Sequence, residues 1–229
     1  MRQVECTGKT TREINQEIRQ LISEGEKEVV VLRPQARHNL GVAILQPVKL
    51  VFEGSVGYYC AGLVDGPSVE IRGSAGWGVA EGMMSGTVIV GQNAGNSAAA
   101  SIRGGTVVIR GSAGARAGIA MKGGTLVIQG DCGYMTGFMM QKGTIIICGD
   151  AGEALGDSMY EGRIFVGGSI AELGNDAVIQ APTPEEDESL ASLLTQYGIT
   201  RSRTFQKIVA GRRLWRFDKK EFATWREAL

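Results

Sequence analysis

One pattern returns every 19 residues, without an insertion, across residues 58–168. Gly57, Gly76, Gly95, Gly114, Gly133 and Gly152 stand 19 apart. Ala61, Ala80, Ala99, Gly118, Gly137 and Gly156 form a second column, and Val64, Met83, Ile102, Met121, Met140 and Met159 a third. Between them recur β-branched runs, among them Val88-Ile89-Val90, Val107-Val108-Ile109 and Ile145-Ile146-Ile147. A fixed period of this length marks a solenoid, in which each repeat is one coil and buries its apolar face only by stacking on its neighbour.

Within each coil the apolar run has the period-2 geometry of a strand, so alternate columns face opposite ways. Leu50, Val69, Val88, Val107, Leu126, Ile145 and Ile164 form one wholly apolar column. Two residues on, Phe52, Ile71, Val90, Ile109, Ile128, Ile147 and Val166 form another. Both must point inward. Nineteen residues make a path of roughly 60 Å, which suits a small coil whose turns stack as parallel strands about 4.8 Å apart. Strand crossovers are right-handed in nearly all cases. The expected fold is therefore all-β, a single-stranded right-handed parallel β-helix with about 19 residues per coil, capped by terminal helices. The chain holds 34 glycines, most of them between 54 and 168. Several sharp corners per coil explain them, because corners need positive φ or close backbone approach. Gly76-Trp77-Gly78 is turn chemistry, since no Lys-Ser/Thr pair and no following helix make it a phosphate loop.

The outward column is the informative one. It runs Ile89, Val108, Val127, Ile146 and Phe165, beside a threonine column of Thr87, Thr106, Thr125 and Thr144. Stacked, these five side chains make one apolar strip, large enough to require a cover. Either the chain's own tail or another subunit supplies it.

A solenoid has open ends, so it needs caps. Residues 1–34 are the candidate for one. Thr10 and Glu13 have capping-box spacing, Ile14, Ile18, Leu21 and Ile22 share one helical face, and Gly25 suits the C′ position. Glu28-Val29-Val30-Val31-Leu32 then forms a strand ended by Pro34. The β-helix takes residues 35–180, with a degenerate first coil over 35–53. The tail, 181–229, opens with an acidic helix after Pro182, whose face carries Leu190, Leu193, Leu194 and Tyr197 and which Gly198 ends. A basic, aromatic finish follows, with a hairpin expected over 205–217 about Gly211 and a short helix over 219–229. Trp215 and Phe217 join the strip as candidate partner-contact residues.

Composition excludes several classes. Twenty-four basic and 24 acidic residues cancel, so no global field draws the chain to nucleic acid. No apolar run reaches the length of a membrane span. Cys6, Cys60, Cys132 and Cys148 make no CxxC pair and no metal-ligand spacing, and free thiols without an export signal point to the cytoplasm. His38, the single histidine, is a structural residue. The methionine column is pliable core filler. Asp131, Asp150 and Asp157 fit turns, and no carboxylate pair recurs on neighbouring coils. No catalytic, cofactor-binding or metal-binding residue is assigned.

Gly130-Asp131-Cys132-Gly133-Tyr134-Met135-Thr136-Gly137, followed by Gly143-Thr144-Ile145-Ile146-Ile147 and Gly149-Asp150-Ala151-Gly152, resembles the Gly-rich (GXGXG) β-helix domain at the carboxyl end of the glutamate synthase large subunit. The same domain is similar to the β-helical subunit of formylmethanofuran dehydrogenase. The tail, Gly211-Arg212-Arg213-Leu214-Trp215-Arg216-Phe217, resembles the end of free-standing subunits of this type, such as the middle subunit of methylamine–glutamate N-methyltransferase (N-methylglutamate synthase). The resemblance implies a non-catalytic assembly subunit that holds an amidotransferase-like subunit and a flavin-binding subunit together. FMN and an iron–sulfur cluster are then expected in a partner, with no matching positions here. Subunits of a stand-alone glutamate synthase or of formylmethanofuran dehydrogenase are rival expectations, as is a self-contained β-helix enzyme or ligand-binding protein.

Overall fold

The computed structural model describes residues 2–200 and 204–211. Along the chain lie β1 (Arg2–Glu5), α1 (Thr11–Ser23), β2 (Glu28–Leu32), β3 (Lys49–Glu53), β4 (Asp65–Ile71), β5 (Ser85–Val90) and β6 (Thr106–Ile109). Then come β7 (Lys122–Ile128), β8 (Lys142–Ile147), β9 (Arg163–Val166), β10 (Ala177–Gln180), α2 (Pro184–Gln196) and β11 (Gln206–Ala210). From β1 to β9 neighbouring strands pair in parallel, in chain order, and the 19-residue period is the pairing register: Leu50 opposes Val69, Val69 opposes Val88, and so on to Ile164. The chain is a parallel β-solenoid. The inward columns are buried in one continuous core that runs from Val4 to Ile208.

The second wall is a ladder one residue wide. Val56, Ala75, Ala94, Ala113, Cys132, Ala151 and Ile170 bridge in parallel from coil to coil. Small side chains are needed there because the backbone turns on both sides. The third wall is made of left-handed backbone. Residues 59, 61 and 63 all have positive φ, and so do 78, 80, 82, then 97, 99, 101, then 116, 118, 120, up to 154, 156 and 158. Most are not glycine. Their N–H groups are satisfied between coils: Tyr59 donates to Trp77 O at 2.7 Å, Leu63 to Glu81 O at 2.8 Å, and Ala80 to Cys60 O at 2.9 Å. A left-handed residue other than glycine costs roughly 1 kcal/mol, and the stacking bonds hold it there.

The amino-terminal cap forms as the residues imply. Thr10 and Glu13 make the reciprocal capping box, Ile14 and Ile18 are buried, and Gly25 has φ +95. Asn15 fastens α1 to the first coil, donating to Asn39 O at 2.7 Å and accepting from Gly41 N–H at 2.8 Å. The cap also holds a strand that the sequence pattern does not announce. β1 lies beyond β2, with Val4 opposite Val31, so the sheet begins before the helix.

At the other end the chain reverses. β11 lies between β9 and β10 and is antiparallel to both. It closes the coil on the β9 side with Ile208 opposite Ile164. Both edges of β11 are taken, by β9 and by β10; residues 212–217 of the expected hairpin, and the helix expected over 219–229, lie outside the described residues. Trp215 and Phe217 also lie outside them. α2 has a capping box of its own, Thr183 with Glu186, but it does not cap an end. It lies along the side of the solenoid.

Candidate assembly surfaces

α2 occupies the strip. Val108, Val127, Ile146 and Phe165 form a second buried cluster with Leu190, Leu194, Ile199 and Phe205. Leu193, Tyr197 and Ile89 pack against it partly buried. The strip is covered by the chain's own tail, so its assignment as a partner interface is corrected for these four residues. The physical reason is burial: Leu190 and Leu194 of α2, with Ile199 and Phe205 after it, shield these apolar side chains from water. Ile89, nearest the uncovered end, is half-buried in an open groove with Glu70, Arg72 and Arg110. Strand β11 anchors the cover. Lys207 Nζ lies 3.0 Å from Glu186 Oε2, both side chains largely buried. Burial pushes the Glu186 carboxyl up, but the Thr183 N–H, Lys207 and Arg163 outweigh it and hold it below the usual range.

A groove of about 420 Å³ remains between the edge of α2 and the threonine column, lined by Thr125, Thr144, Arg163, Glu185 and Ser189 among others. Arg163 already donates to Thr144 Oγ1 at 3.1 Å and pairs with Glu186 at 3.5 Å. The groove is open and its polar groups serve the fold.

The corners carry polar ladders. Ser55 accepts from Ser74 N–H, Asn93 from Ser112, Ser112 from Asp131, Asp131 from Asp150 and Asp150 from Ser169, at 2.7–3.1 Å. Asp131 and Asp150 are therefore rungs of one column, not scattered turn residues. The signal was present in the sequence, since small acceptors recur there at the 19-residue period. Asp157 is separate and nearly buried, holding Asn175 N–H and side chain on the last coil. His38 is structural. Its Nδ1 accepts from Tyr58 N–H at 2.9 Å and its ring stacks on Tyr58, which stacks on Trp77, with centroids 4.4 and 5.3 Å apart. Each large ring also covers a glycine on the next coil. A Cβ at Gly95 would lie 2.5 Å from the Trp77 ring.

The thiols are poor nucleophiles and poor ligands. Burial pushes Cys60 far above the usual range and Cys148 up to about 11. Cys132 is raised by burial despite bonds from Thr136 and Gly152. Among the described residues no three His, Cys, Asp or Glu side chains gather as a metal site, and no helix is long and apolar enough to cross a membrane.

Stacked coils, buried inward columns and left-handed corners together define a glycine-rich parallel β-solenoid. The chain belongs to the GXGXG motif family, whose match spans residues 35–222. It is also similar to Protein GlxC of Rhizobium meliloti (strain 1021), 47% identical over 77 residues, a stretch that covers 33% of each protein.

Proposed function

We propose that this chain is a non-catalytic assembly subunit of a glutamate-synthase-like complex. The observation that carries the proposal is membership of the GXGXG family over residues 35–222. It joins the string Tyr134-Met135-Thr136-Gly137, which resembles the glutamate synthase large-subunit domain. The side chains support it. Asp131, Asp150 and His38 accept hydrogen bonds from the next coil, and burial raises the pKa of Cys60 and Cys148. A stack of coils whose polar groups bond to one another is stiff, which suits a scaffold that fixes the separation of two other subunits.

Within that class, N-methylglutamate synthase is the favoured complex. It joins methylamine to glutamate with release of ammonia. The partners are then an amidotransferase-like subunit and a flavin-binding subunit, and FMN and the iron–sulfur cluster belong to the partner. The test is purification of the native complex through a tag on this chain. Co-purification of both partners, flavin absorbance in the complex, and methylamine-dependent turnover only when all are present are the expected results. Turnover or bound flavin in this chain alone would overturn the proposal, as would recovery of molybdenum or tungsten subunits instead.

A further inference from the structure

With the strip covered by α2, a partner must use another surface, and the corner entering the strands offers one. Arg103, Lys122 and Lys142 are all exposed there on successive coils. Lys122 and Lys142 are direct partners in the β7–β8 pairing. Lys122 N–H donates to Ile102 O at 2.8 Å, which seats its coil on that of Arg103. The row is not obvious from the period, because Lys142 follows Lys122 by 20 residues; a register shift between Lys122 and Thr125 brings them level.

Like charges directly opposite one another in a sheet are destabilising. Elsewhere on this chain Lys49 pairs with Glu28, Arg72 with Glu53 and Lys207 with Glu186. In this row no ion pair or side-chain hydrogen bond forms among the described residues, although Glu161 follows Lys142 by 19. Around the row stand Met84, Met139 and Tyr160, exposed by 46%, 44% and 41%. Methionine, tyrosine and arginine are enriched where proteins meet. An unneutralised row with an apolar rim fits a protein surface that presents carboxylates between apolar side chains.

We propose that the row of Arg103, Lys122 and Lys142 is the docking site for an acidic segment of a partner subunit, an inference that rests on the assembly role proposed above. Charge complementarity selects the occupant, and the apolar rim selects protein over a bare polyanion.

The test is a triple charge reversal, Arg103→Glu, Lys122→Glu and Lys142→Glu, in the full chain co-expressed with the amidotransferase-like and flavin-binding subunits. The melting temperature checks that the exposed changes leave the coil folded, and Arg103→Gln, Lys122→Gln and Lys142→Gln is the milder set if they do not. Assembly is expected to weaken on the order of tenfold, and the salt sensitivity of wild-type assembly is expected to vanish. Assembly of the variant with unchanged affinity and salt dependence would overturn the proposal. If the wild-type chain recovers neither subunit, the assembly role fails by itself, and a peptide alternating glutamate with leucine then reads the row. Binding that the triple variant abolishes supports the site, and no binding overturns it. Row-dependent binding of a single-stranded oligonucleotide without binding of the peptide overturns it also.

Discussion

The Cδ1 methyl of Ile145 lies 2.5 Å from where a Cβ on Gly118 would stand. The same relation joins Gly137 to Ile164, at 2.6 Å. In the preceding coils this column is Ala61, Ala80 and Ala99, and the residues at the same offset are Val88, Val107 and Leu126. Space is thus exchanged between the left-handed wall and the strand: opposite Val88 and Val107 the wall carries alanine, and where an isoleucine Cδ1 reaches across it carries glycine, while Leu126, branched differently, still faces Ala99.

That exchange predicts a coupled pair. Gly118→Ala places a methyl at φ +67 and against Ile145, and is expected to cost about 2–3 kcal/mol from overpacking and backbone strain. Ile145→Val alone should cost about 1 kcal/mol. The double variant should be more stable than the sum of the two predicts, by about 1 kcal/mol or more. Urea unfolding of the four proteins measures this, and additive losses would remove the volume-exchange account.

Covering of the strip makes a second prediction. Val127→Lys puts an ammonium into the cluster beneath α2, where Val127, Leu190 and Leu194 are buried. The expected loss is several kcal/mol, since a buried charge without a partner is expensive. Faster proteolysis and hydrogen exchange should be confined to α2 and β11. A variant that melts as the wild type does would mean that α2 leaves the strip in solution.

The Lys207–Glu186 pair carries a pH dependence. The folded-state pKa of Glu186 is depressed, so the stability it lends is present at neutral pH and is lost as pH falls through and below the usual carboxylate range. Glu186→Gln is expected to cost about 1–2 kcal/mol at pH 7. The gap between the two proteins should shrink on acidification to about pH 3. A gap of constant size from neutral to acid pH would show that the carboxylate charge contributes nothing.

The polar ladder tolerates exchange within its own alphabet. Asp131→Ala strips the Asp150 N–H of its 2.8 Å acceptor, at about 0.5–1.5 kcal/mol. Asp131→Ser should be nearly neutral, because Ser112 accepts the equivalent bond on the preceding coil. Thermal melts of both variants decide it, and equal losses would show that the side-chain acceptor is immaterial.

Much of the coil was legible because its determinants are local and repeat. Leu50 to Ile164 and Phe52 to Val166 fell inward as period-2 geometry requires, and Thr10 with Glu13 made the cap its spacing implied. What escaped was set by distant contacts. β1, with only Val4 fully buried among four residues, forms because β2 offers it an edge. The row of Arg103, Lys122 and Lys142 was hidden by a one-residue shift that only pairing resolves.

The sequence by itself determined the period, the inward columns and an outward strip that needed covering, because each follows from bond geometry and the exclusion of apolar surface from water. It could not say what covered the strip. The tail and a partner would bury the same methyl groups at comparable gain per unit area, so the residues of the strip do not distinguish them. The tertiary structure decided it through the path of the chain. Reversal into β11 and the Lys207–Glu186 contact bring Leu190 and Leu194 onto Val127 and Ile146.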